Sequence, residues 1–533
     1  MSNIEFEWNV KAVTSGLQVV GSCRPRLLAH LKDILDAYHH WNKPLRYYDI
    51  IAGDWLEHFV HVTYAAMVEG LAMGRSKPLS SPMPVSSDLV AHSWLRWNES
   101  GLHEHLRAAV TALLAGGSPA SWKFSTNSVQ IVSGGTQSPA LRVLRSVATR
   151  RPDVLLVDPY FKCGRTEIAA TLFMWRRWAA LDDLRYPIRF SVTLDQKWRM
   201  GQACSIGLPT DLLGVLQVLL PLHLPVALLE GFAAYRDATL AMPVKRPKII
   251  YSANALHSNL TFKLLAAEWS EEGTRLLYHQ HGAGYGIDRI HAVEAFEARV
   301  SDRYFTWGWS NADNPKVKPV SPGALYCPTK KRKYVLVSCC DVPKVVYRLH
   351  FHPMPGTIQT MHRETCEFLA ALPDRKNLLV RPYPHDFGWG FVEKLRKAAP
   401  DAAFDDHRAG IFDRFAQSRL VVHSYLGTGY LETLALNIPT ICFYDTNTYA
   451  FRQEAQSLMD GLASVGILHR SGKAAARFVA GLSDDPEGWW MKPEVQDARN
   501  RFVEQYANFA PDWKSRWEHE FRLAIDQDSE IAT

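Results

Sequence analysis

The sequence predicts an α/β protein with two Rossmann-like parallel-sheet domains that face a cleft, and with helical extensions at both ends. Three observations predict this class. Short apolar runs alternate with helical stretches from about residue 150, a segment rich in Pro and Lys interrupts them at 311–333, and the alternation then restarts. Strands that are apolar on both faces and separated by helices indicate parallel sheets covered on each side. A chain of 533 residues is long enough for two hydrophobic cores.

The alternation divides the chain into four segments. Residues 1–310 are expected to form a first domain, helical over 1–125 and α/β beyond, and residues 311–333 a linker. Residues 334–470 are expected to form a second α/β domain, and residues 471–533 helices that pack back on the first. The predicted strands are DVLLVDPY, PKIIYSAN and TRLLYHQH in the first domain, and KYVLVSCC, NLLVRPYPHD, RLVVHSY and PTICFYD in the second.

The composition excludes several classes of protein. A net charge of +6 is too small for this length to indicate nucleic-acid binding. The eight cysteines form no CxxC pair and no zinc-ligand spacing, and several lie in apolar runs, which indicates a reducing compartment. We find neither a signal peptide nor an unbroken run of about 18 apolar residues. We therefore expect a cytoplasmic protein, at most peripheral to the inner membrane.

The stretch RLVVHSYLGTGYLE in the second domain is the strongest candidate for an anion site. It predicts a buried strand, a loop with two glycines and the start of a helix. Glycines let backbone N–H groups approach a phosphate, and a helix N-terminus adds positive potential. We expect Ser424, Gly427, Thr428 and Gly429 to hold a nucleotide phosphate and Glu432 to bind the ribose. The alternative is an ordinary turn with Glu432 as a surface acid.

A second candidate is the strand end and Pro-fixed loop of NLLVRPYPHD. Arg381, His385 and Asp386 follow one another there. Arg and His together suit a phosphate or a carboxylate, which Arg binds bidentately. We expect Arg381 and Asp386 to contribute to donor binding and His385 to catalysis. The alternative is a structural turn with a solvated His–Asp pair.

A third candidate is HQHGAGYG, which ends a strand of the first domain where that domain should face the cleft. His279 and His281 are expected to share a face and to act in acid–base catalysis near neutral pH. Gly282 and Gly284 would line the acceptor side. The histidine spacing also suits a metal, but no acidic or Cys partner follows at zinc-like spacing and no DxD motif lies in either predicted α/β domain, so we expect no metal.

Two further strand ends supply polar groups. Asp158 follows a buried strand and is a candidate nucleophile or base, with capping of the next loop as the alternative. Ser252, Asn254 and His257 follow another strand and would line the acceptor side or cap a helix. A structural role is expected for the polar residues of IAGDWLEHF, namely Asp54, Glu57 and His58.

Six segments in order resemble bacterial transferases of surface-carbohydrate biosynthesis. They are HHWNKPLRYYDIIAGDWLEHFV, HQHGAGYG, SDRYFTWGWS, RPYPHD, HSYLGTGYLETLALNIPTICFYD and GILHRSGKAAARFV, and they span nearly the whole chain. Their arrangement is similar to GT-B enzymes that use CMP-activated ulosonic acids, the retaining β-Kdo transferases. That resemblance implies an Asp nucleophile, for which Asp158 is the candidate, and a His-Pro motif on the CMP phosphate, for which this chain offers Pro384-His385 in reverse order.

The expected function is therefore that of a GT-B glycosyltransferase. It would move a sugar, such as Kdo from a CMP donor, onto a surface-polysaccharide or lipopolysaccharide acceptor. Its partners would be a nucleotide-sugar as co-substrate and a glycan or glycolipid acceptor, with no other cofactor. Two alternatives stay open: a CDP-alditol phosphotransferase of GT-B type, and a non-catalytic scaffold that binds sugar nucleotides in polysaccharide assembly.

Overall fold

The computed structural model describes residues 6–72, 82–85, 102–134, 152–373, 375, 377–482 and 485–531. The N-terminal part is a layer of helices. It consists of α1 (Val10–His39), α2 (Leu45–Ala72) and α3 (Leu102–Leu114). Because α1, α3 and the helices beside the first sheet surround α2, that helix is buried along almost its whole length, polar residues included.

The first sheet is built from strands that precede residue 320. The strands of this part are β1 (Ser128–Ser133), β2 (Val154–Val157), β3 (Ala179–Leu181), β4 (Ile188–Thr193), β5 (Ile249–Ser252), β6 (Arg275–His279), β7 (Arg303–Thr306) and β8 (Val317–Pro319). Six of them form a fully parallel sheet in the order β3-β2-β5-β6-β7-β8, while β1 and β4 form a separate antiparallel pair. The prediction that residues 311–333 form a linker is wrong for the part that forms β8, since Val317 is buried and pairs with Tyr304 of β7.

Helices cover this sheet. They are α4 (Arg165–Trp175), α5 (Gln196–Ser205), α6 (Leu212–His223), α7 (Phe232–Leu240), α8 (Ala255–Ser258), α9 (Leu260–Glu271) and α10 (Ala292–Val300). The most apolar of them, α6, is buried against α1, α2 and α3 although it contains Pro221. Among the described residues, no helix combines the length and the apolar character needed to cross a bilayer.

The second sheet is also six-stranded and parallel. Its strands are β9 (Tyr334–Ser338), β10 (Leu378–Arg381), β11 (Ala403–Phe404), β12 (Ser418–His423), β13 (Thr440–Phe443) and β14 (Leu468–His469). The order β11-β10-β9-β12-β13-β14 corresponds to 3-2-1-4-5-6 counted from β9, which is the dinucleotide-binding Rossmann order. The central strands β9 and β12 are apolar on both faces because helices cover both sides of the sheet. Leu336 in β9 and Val421 in β12, for example, are 0% exposed.

The helices after residue 357 flank this sheet, and one of them leaves it. They are α11 (Ile358–Ala371), α12 (Phe391–Ala398), α13 (Ile411–Ala416), α14 (Thr428–Ala435), α15 (Gln453–Ser464), α16 (Gly472–Gly481), α17 (Pro486–Trp490), α18 (Pro493–Tyr506) and α19 (Trp513–Ile531). α16 and α18 pack on α11, α14 and α15 of the second sheet, contrary to the expectation for residues 471–533. The last described helix, α19, packs on the first sheet, where Trp517 and Phe521 contact Tyr251.

Candidate functional site

The second sheet has a topological switch point between β9 and β12. The two strands are hydrogen-bonded neighbours, and their chains then leave the carboxyl edge in different directions. Open α/β sheets bind ligands in the crevice outside such an edge. Here the loop after β9, residues 339–357, and the loop after β12, residues 424–427, form one wall of a cavity of about 500 Å³.

The opposite wall belongs to the first sheet. It consists mainly of the loop after β6, residues 280–291, with Tyr160 from the loop after β2. The two walls touch, because a Cβ atom on Gly282 would lie 3.4 Å from Thr428 Oγ1. Two Rossmann-like parallel sheets whose carboxyl edges enclose a shared cleft define a GT-B-like protein, so the predicted fold class is confirmed.

The cavity contains one strong cation beside several histidines. Among the described residues that line it, Arg348 is the sole Arg or Lys, and no described residue gives its guanidinium an ion pair or a hydrogen bond. His350 and His352 lie on the same loop. Burial, with the charges of neighbouring His and Arg residues, holds the pKa of His350 well below its ordinary value, and burial and Arg348 lower that of His352 to about 4. His350 Nδ1 is buried with no hydrogen-bond partner among the described residues, as are several other histidine nitrogens of the protein.

His281 is the cavity-facing end of a buried hydrogen-bonded chain. Its Nδ1 lies 3.4 Å from Glu297 Oε1, and Glu297 on α10 is 0% exposed. The same oxygen lies 2.6 Å from His257 Nε2, and His257 Nδ1 lies 2.7 Å from Asp54 Oδ1 on α2. Burial alone would lower the pKa of His257, but the carboxylates of Asp54 and Glu297 outweigh it and raise that pKa.

The oxygen atoms of Glu297 are held from two sides. Tyr304 donates to Oε2 at 2.8 Å and Tyr285 donates to Oε1 at 3.1 Å. Burial would raise the pKa of Glu297, but His281 and His257 more than compensate and lower it. A carboxylate thus remains ionised directly behind His281, so His281 can accept a proton from a group in the cavity.

The predicted pairing of His279 with His281 is wrong. His279 ends β6 with its ring against Trp517 at 5.1 Å and its Nδ1 3.3 Å from the Tyr251 hydroxyl. Burial lowers its pKa to about 3. The strand ends at His279, so the alternation of side chains no longer holds at His281, which instead turns toward Glu297.

The polar side chains of the RPYPHD segment do not line the cavity. Arg381 is bonded to the buried carboxylate of Asp405, which lies beside the end of β10. His385 and Asp386 are exposed, and Asp386 Oδ1 accepts from the backbone N–H of Gly388 at 2.7 Å. From this loop only the rings of Tyr383 and Phe387 line the cavity.

The loop after β12 reaches the cavity as predicted, but Glu432 does not. Gly427 and Thr428 line the cavity at the start of α14. Gly429 packs against His423, and Ser424 is buried with its backbone N–H donating to Ser338 O. Glu432 is 6% exposed and pairs with Lys162 of the other half, Nζ to Oε1 at 2.9 Å, so the surface-acid alternative is also wrong.

The remaining predicted residues serve local structure. Asp158 has a left-handed backbone, φ 43°, and lies 3.4 Å from Arg185, away from the cavity lining. Ser252 Oγ accepts from the backbone N–H groups of Asn254 and Ala255, as the capping alternative states. Asn254 is the N-cap residue of α8.

Gly284 is required by its turn. Its φ is +88°, and a Cβ atom there would lie 2.7 Å from Asp288 Oδ2. Gly284 thus shapes the acceptor-side loop without lining the cavity.

Sequence reasoning missed the loop YRLHFHPMPG, which supplies Arg348, His350 and His352. A signal was present, because the loop follows a buried strand and contains a His352-Pro353 pair in the order that the resemblance implies. Glu297 carried a weaker signal. In AVEAFEARV it shares the helix face of Val293, Phe296 and Val300, which indicates burial, but only tertiary packing brings it to His281 and His257.

The family comparison agrees with the architecture. A family model described as LIC12162 family transferase matches residues 9–521, so the chain belongs to this family and is a transferase. No curated protein matches the chain.

Several solved structures are similar at low identity. The S. aureus MnaA–UDP co-structure has a TM-score of 0.39 at 8% identity, over 70% of this chain and 97% of that one. A mutant of Thermobaculum terrenum O-GlcNAc transferase has 0.37 at 11% identity, over 96% and 99%. TarM has a TM-score of 0.34 at 11% identity. The match covers 55% of this chain and 58% of TarM, so the chain spans less than two thirds of that protein. All three scores are below 0.5, so we infer neither fold nor activity from them.

Proposed function

We propose that this transferase is a glycosyltransferase that moves a sugar from a nucleotide donor to a hydroxyl acceptor in the cleft between the two sheets. The observation that carries the proposal is the cavity itself. The switch point of a Rossmann-ordered sheet faces a loop that presents His281, and the two enclose a space with Arg348 at its wall. The donor nucleotide would lie on the second sheet, because Gly427 and Thr428 open a helix there.

Arg348 is the group proposed to bind the donor phosphate. Its guanidinium is not engaged by any described carboxylate, unlike Arg381, and it lies on the loop that also carries His350 and His352. As the leaving nucleotide gains negative charge, a fixed cation beside it stabilises that charge. On the acceptor side, His281 would take the hydroxyl proton, with ionised Glu297 stabilising the imidazolium that forms.

The finer proposal is a CMP-linked ulosonic acid as donor and a bacterial surface glycan or glycolipid as acceptor. It is supported by the resemblance described above and by the lining residues. One Arg with several histidines suits a donor that carries a single phosphate and a carboxylate. The His352-Pro353 pair replaces the reversed Pro384-His385 as the counterpart of the His-Pro motif.

Thermal-shift titration of the purified protein with CMP, CDP, UDP and GDP tests the binding step. A nucleotide at 100 times its Kd stabilises a protein by about 2.7 kcal/mol. We expect the largest shift with CMP. Arg348→Gln should weaken that binding by about 1.5–3 kcal/mol, the range for a hydrogen bond to a charged group.

Arg408→Gln is the matched control, since that side chain is 90% exposed and outside the cavity lining. Equal affinity in wild type and Arg348→Gln would remove Arg348 from the donor site. A strong response to UDP or GDP with none to CMP would refute the ulosonate donor alone. Product analysis with the best donor separates sugar transfer from transfer of a phospho-alditol.

A further inference from the structure

His257, His281 and Glu297 form a convergent set of ligand atoms beside the cavity. They come from three separate elements: α8, the loop after β6, and α10. One nitrogen or oxygen atom of each lies within 4.8 Å of those of the other two. We propose that these three side chains bind a zinc ion whose remaining coordination position faces the cleft.

The donor set fits zinc. Two His nitrogens and one Glu oxygen, with one position left open, form a ligand set found in catalytic zinc sites. Ligands on one tetrahedral zinc stand about 3.3 Å apart when the metal–ligand distances are about 2.0 Å. Glu297 Oε1 and His281 Nδ1 are already 3.4 Å apart, and His257 Nε2, now 2.6 Å from that oxygen, needs to withdraw by only about 0.7 Å.

The residues behind the ligands are arranged as outer partners of a metal site. Asp54 Oδ1 accepts from His257 Nδ1 at 2.7 Å, which turns Nε2 toward the other ligands. Tyr304 donates to Glu297 Oε2 at 2.8 Å, so the ion would bind Oε1, which accepts from Tyr285 at 3.1 Å in its absence. A carboxylate behind a ligating His is the usual device that fixes its tautomer and raises its basicity.

The carboxylates of Asp54 and Glu297 flank the imidazole of His257, and Lys263 Nζ lies 3.6 Å from Asp54 Oδ2. Asp54 and Glu297 are 1% and 0% exposed and lie on opposite sides of one imidazole ring. The sequence-based expectation of no metal depended on spacing along the chain, whereas these ligands lie 24 and 16 residues apart in sequence, as their numbers show.

A bound ion would modify the proposed reaction without being needed to detect the site. His281 is 26% exposed and lines the cavity, so the open position of the ion faces the acceptor side. There zinc would lower the pKa of the acceptor hydroxyl and replace His281 as the activating group. Zinc binding itself is measured with neither donor nor acceptor, so its outcome is independent of the proposed function.

The test is a titration of the untagged, chelator-treated chain with Zn²⁺ against a chromophoric chelator, and with Co²⁺ followed by visible absorption. We expect one ion per chain, a tetrahedral cobalt spectrum, and weaker binding at lower pH. His281→Ala and Glu297→Gln should each weaken zinc binding by about 100-fold or more. His519→Ala, an exposed histidine on α19, is the control and should bind as wild type does.

His281→Ala keeps the test decisive if loss of the buried Glu297 carboxylate unfolds the chain, because His281 lies at the cavity edge. Circular dichroism checks the fold of each variant. The proposal is overturned if the folded wild type takes up no stoichiometric zinc. It is equally overturned if His281→Ala binds zinc as tightly as wild type.

Discussion

Single side chains of one type take different roles in this protein because their surroundings differ. Arg381 ends β10 and pairs with Asp405, whereas Arg348 lies on the loop after β9 and lines the cavity. Glu432 shows the same effect. The sequence predicts that Glu432 binds a ribose, but its carboxylate is instead paired with Lys162. The side chains of Glu432 and Lys162 are 7% and 13% exposed. This ion pair joins the two halves of the molecule.

Removing the Lys162 cation should therefore destabilise the protein. Lys162→Met leaves Glu432 buried without its partner, which typically costs about 3–5 kcal/mol. Denaturant unfolding followed by fluorescence measures the change. The surface lysine control, Lys473→Met, breaks a pair whose lysine is 64% exposed and should change stability by less than about 1 kcal/mol. If both variants unfold alike, the inter-half pair is not the stabilising contact we infer.

At the scale of elements, the loop after β6 is the part of the first half that shapes the cleft. It places His281 and Tyr285 at the cavity while Gly284 and Gly286 adopt φ of +88° and +70°. Gly286 also packs closely, because a Cβ atom there would lie 2.5 Å from the buried indole of Trp309. Gly284 and Gly286 are therefore positions where a fixed turn excludes side chains.

Gly286→Ala should be strongly unfavourable for this reason. The left-handed backbone and the clash with Trp309 together should lower the free energy of unfolding by about 1–3 kcal/mol. The matched control is Gly201→Ala in α5, where a Cβ atom meets nothing within 4 Å and the change should stabilise by about 0.5–1 kcal/mol. Thermal melts of both variants provide the comparison. A neutral Gly286→Ala would show that the loop relaxes easily.

For the whole molecule, many histidines are buried in the neutral state. Burial lowers the pKa of His105, His279 and His423 to about 3, and of His58 and His223 to about 4. In the unfolded chain these groups titrate near 6.5. Between those values the unfolded state binds more protons than the folded state, so acid favours unfolding.

We expect the melting temperature to fall steadily as the pH is lowered from about 6.5 to about 4, with each such histidine contributing up to about 1.4 kcal/mol per pH unit. His257 acts in the opposite sense. Its raised pKa contributes stability that is complete below about 6.5 and is lost as the pH rises through that raised value. Differential scanning fluorimetry from pH 4 to 9 measures the profile, and a flat melting temperature below pH 6.5 would contradict it.

The arrangement of the strands was largely predictable because each one is a short apolar run between helices. Every strand predicted from such a run is present, from DVLLV at β2 to TICF at β13. The strands that were missed, such as β3 and β8, have three residues each, which is too short for an apolar run to stand out in the sequence. The sequence did not show which of the C-terminal helices returns to the first sheet. Trp489 and Trp517 look equivalent in sequence, but they are buried against different sheets.

The sequence by itself determined the two parallel sheets and the loop at Gly427 and Thr428, because apolar runs and glycines act through neighbours in the chain. Only the tertiary structure decided which polar groups meet. Asp54, His257, His281 and Glu297 come from four elements, and Arg348 from a fifth that belongs to the other sheet. The chemistry of these groups depends on their burial and on separations of a few ångströms, because both set the strength of the interactions between charges. Spacing along the chain carries no information about either.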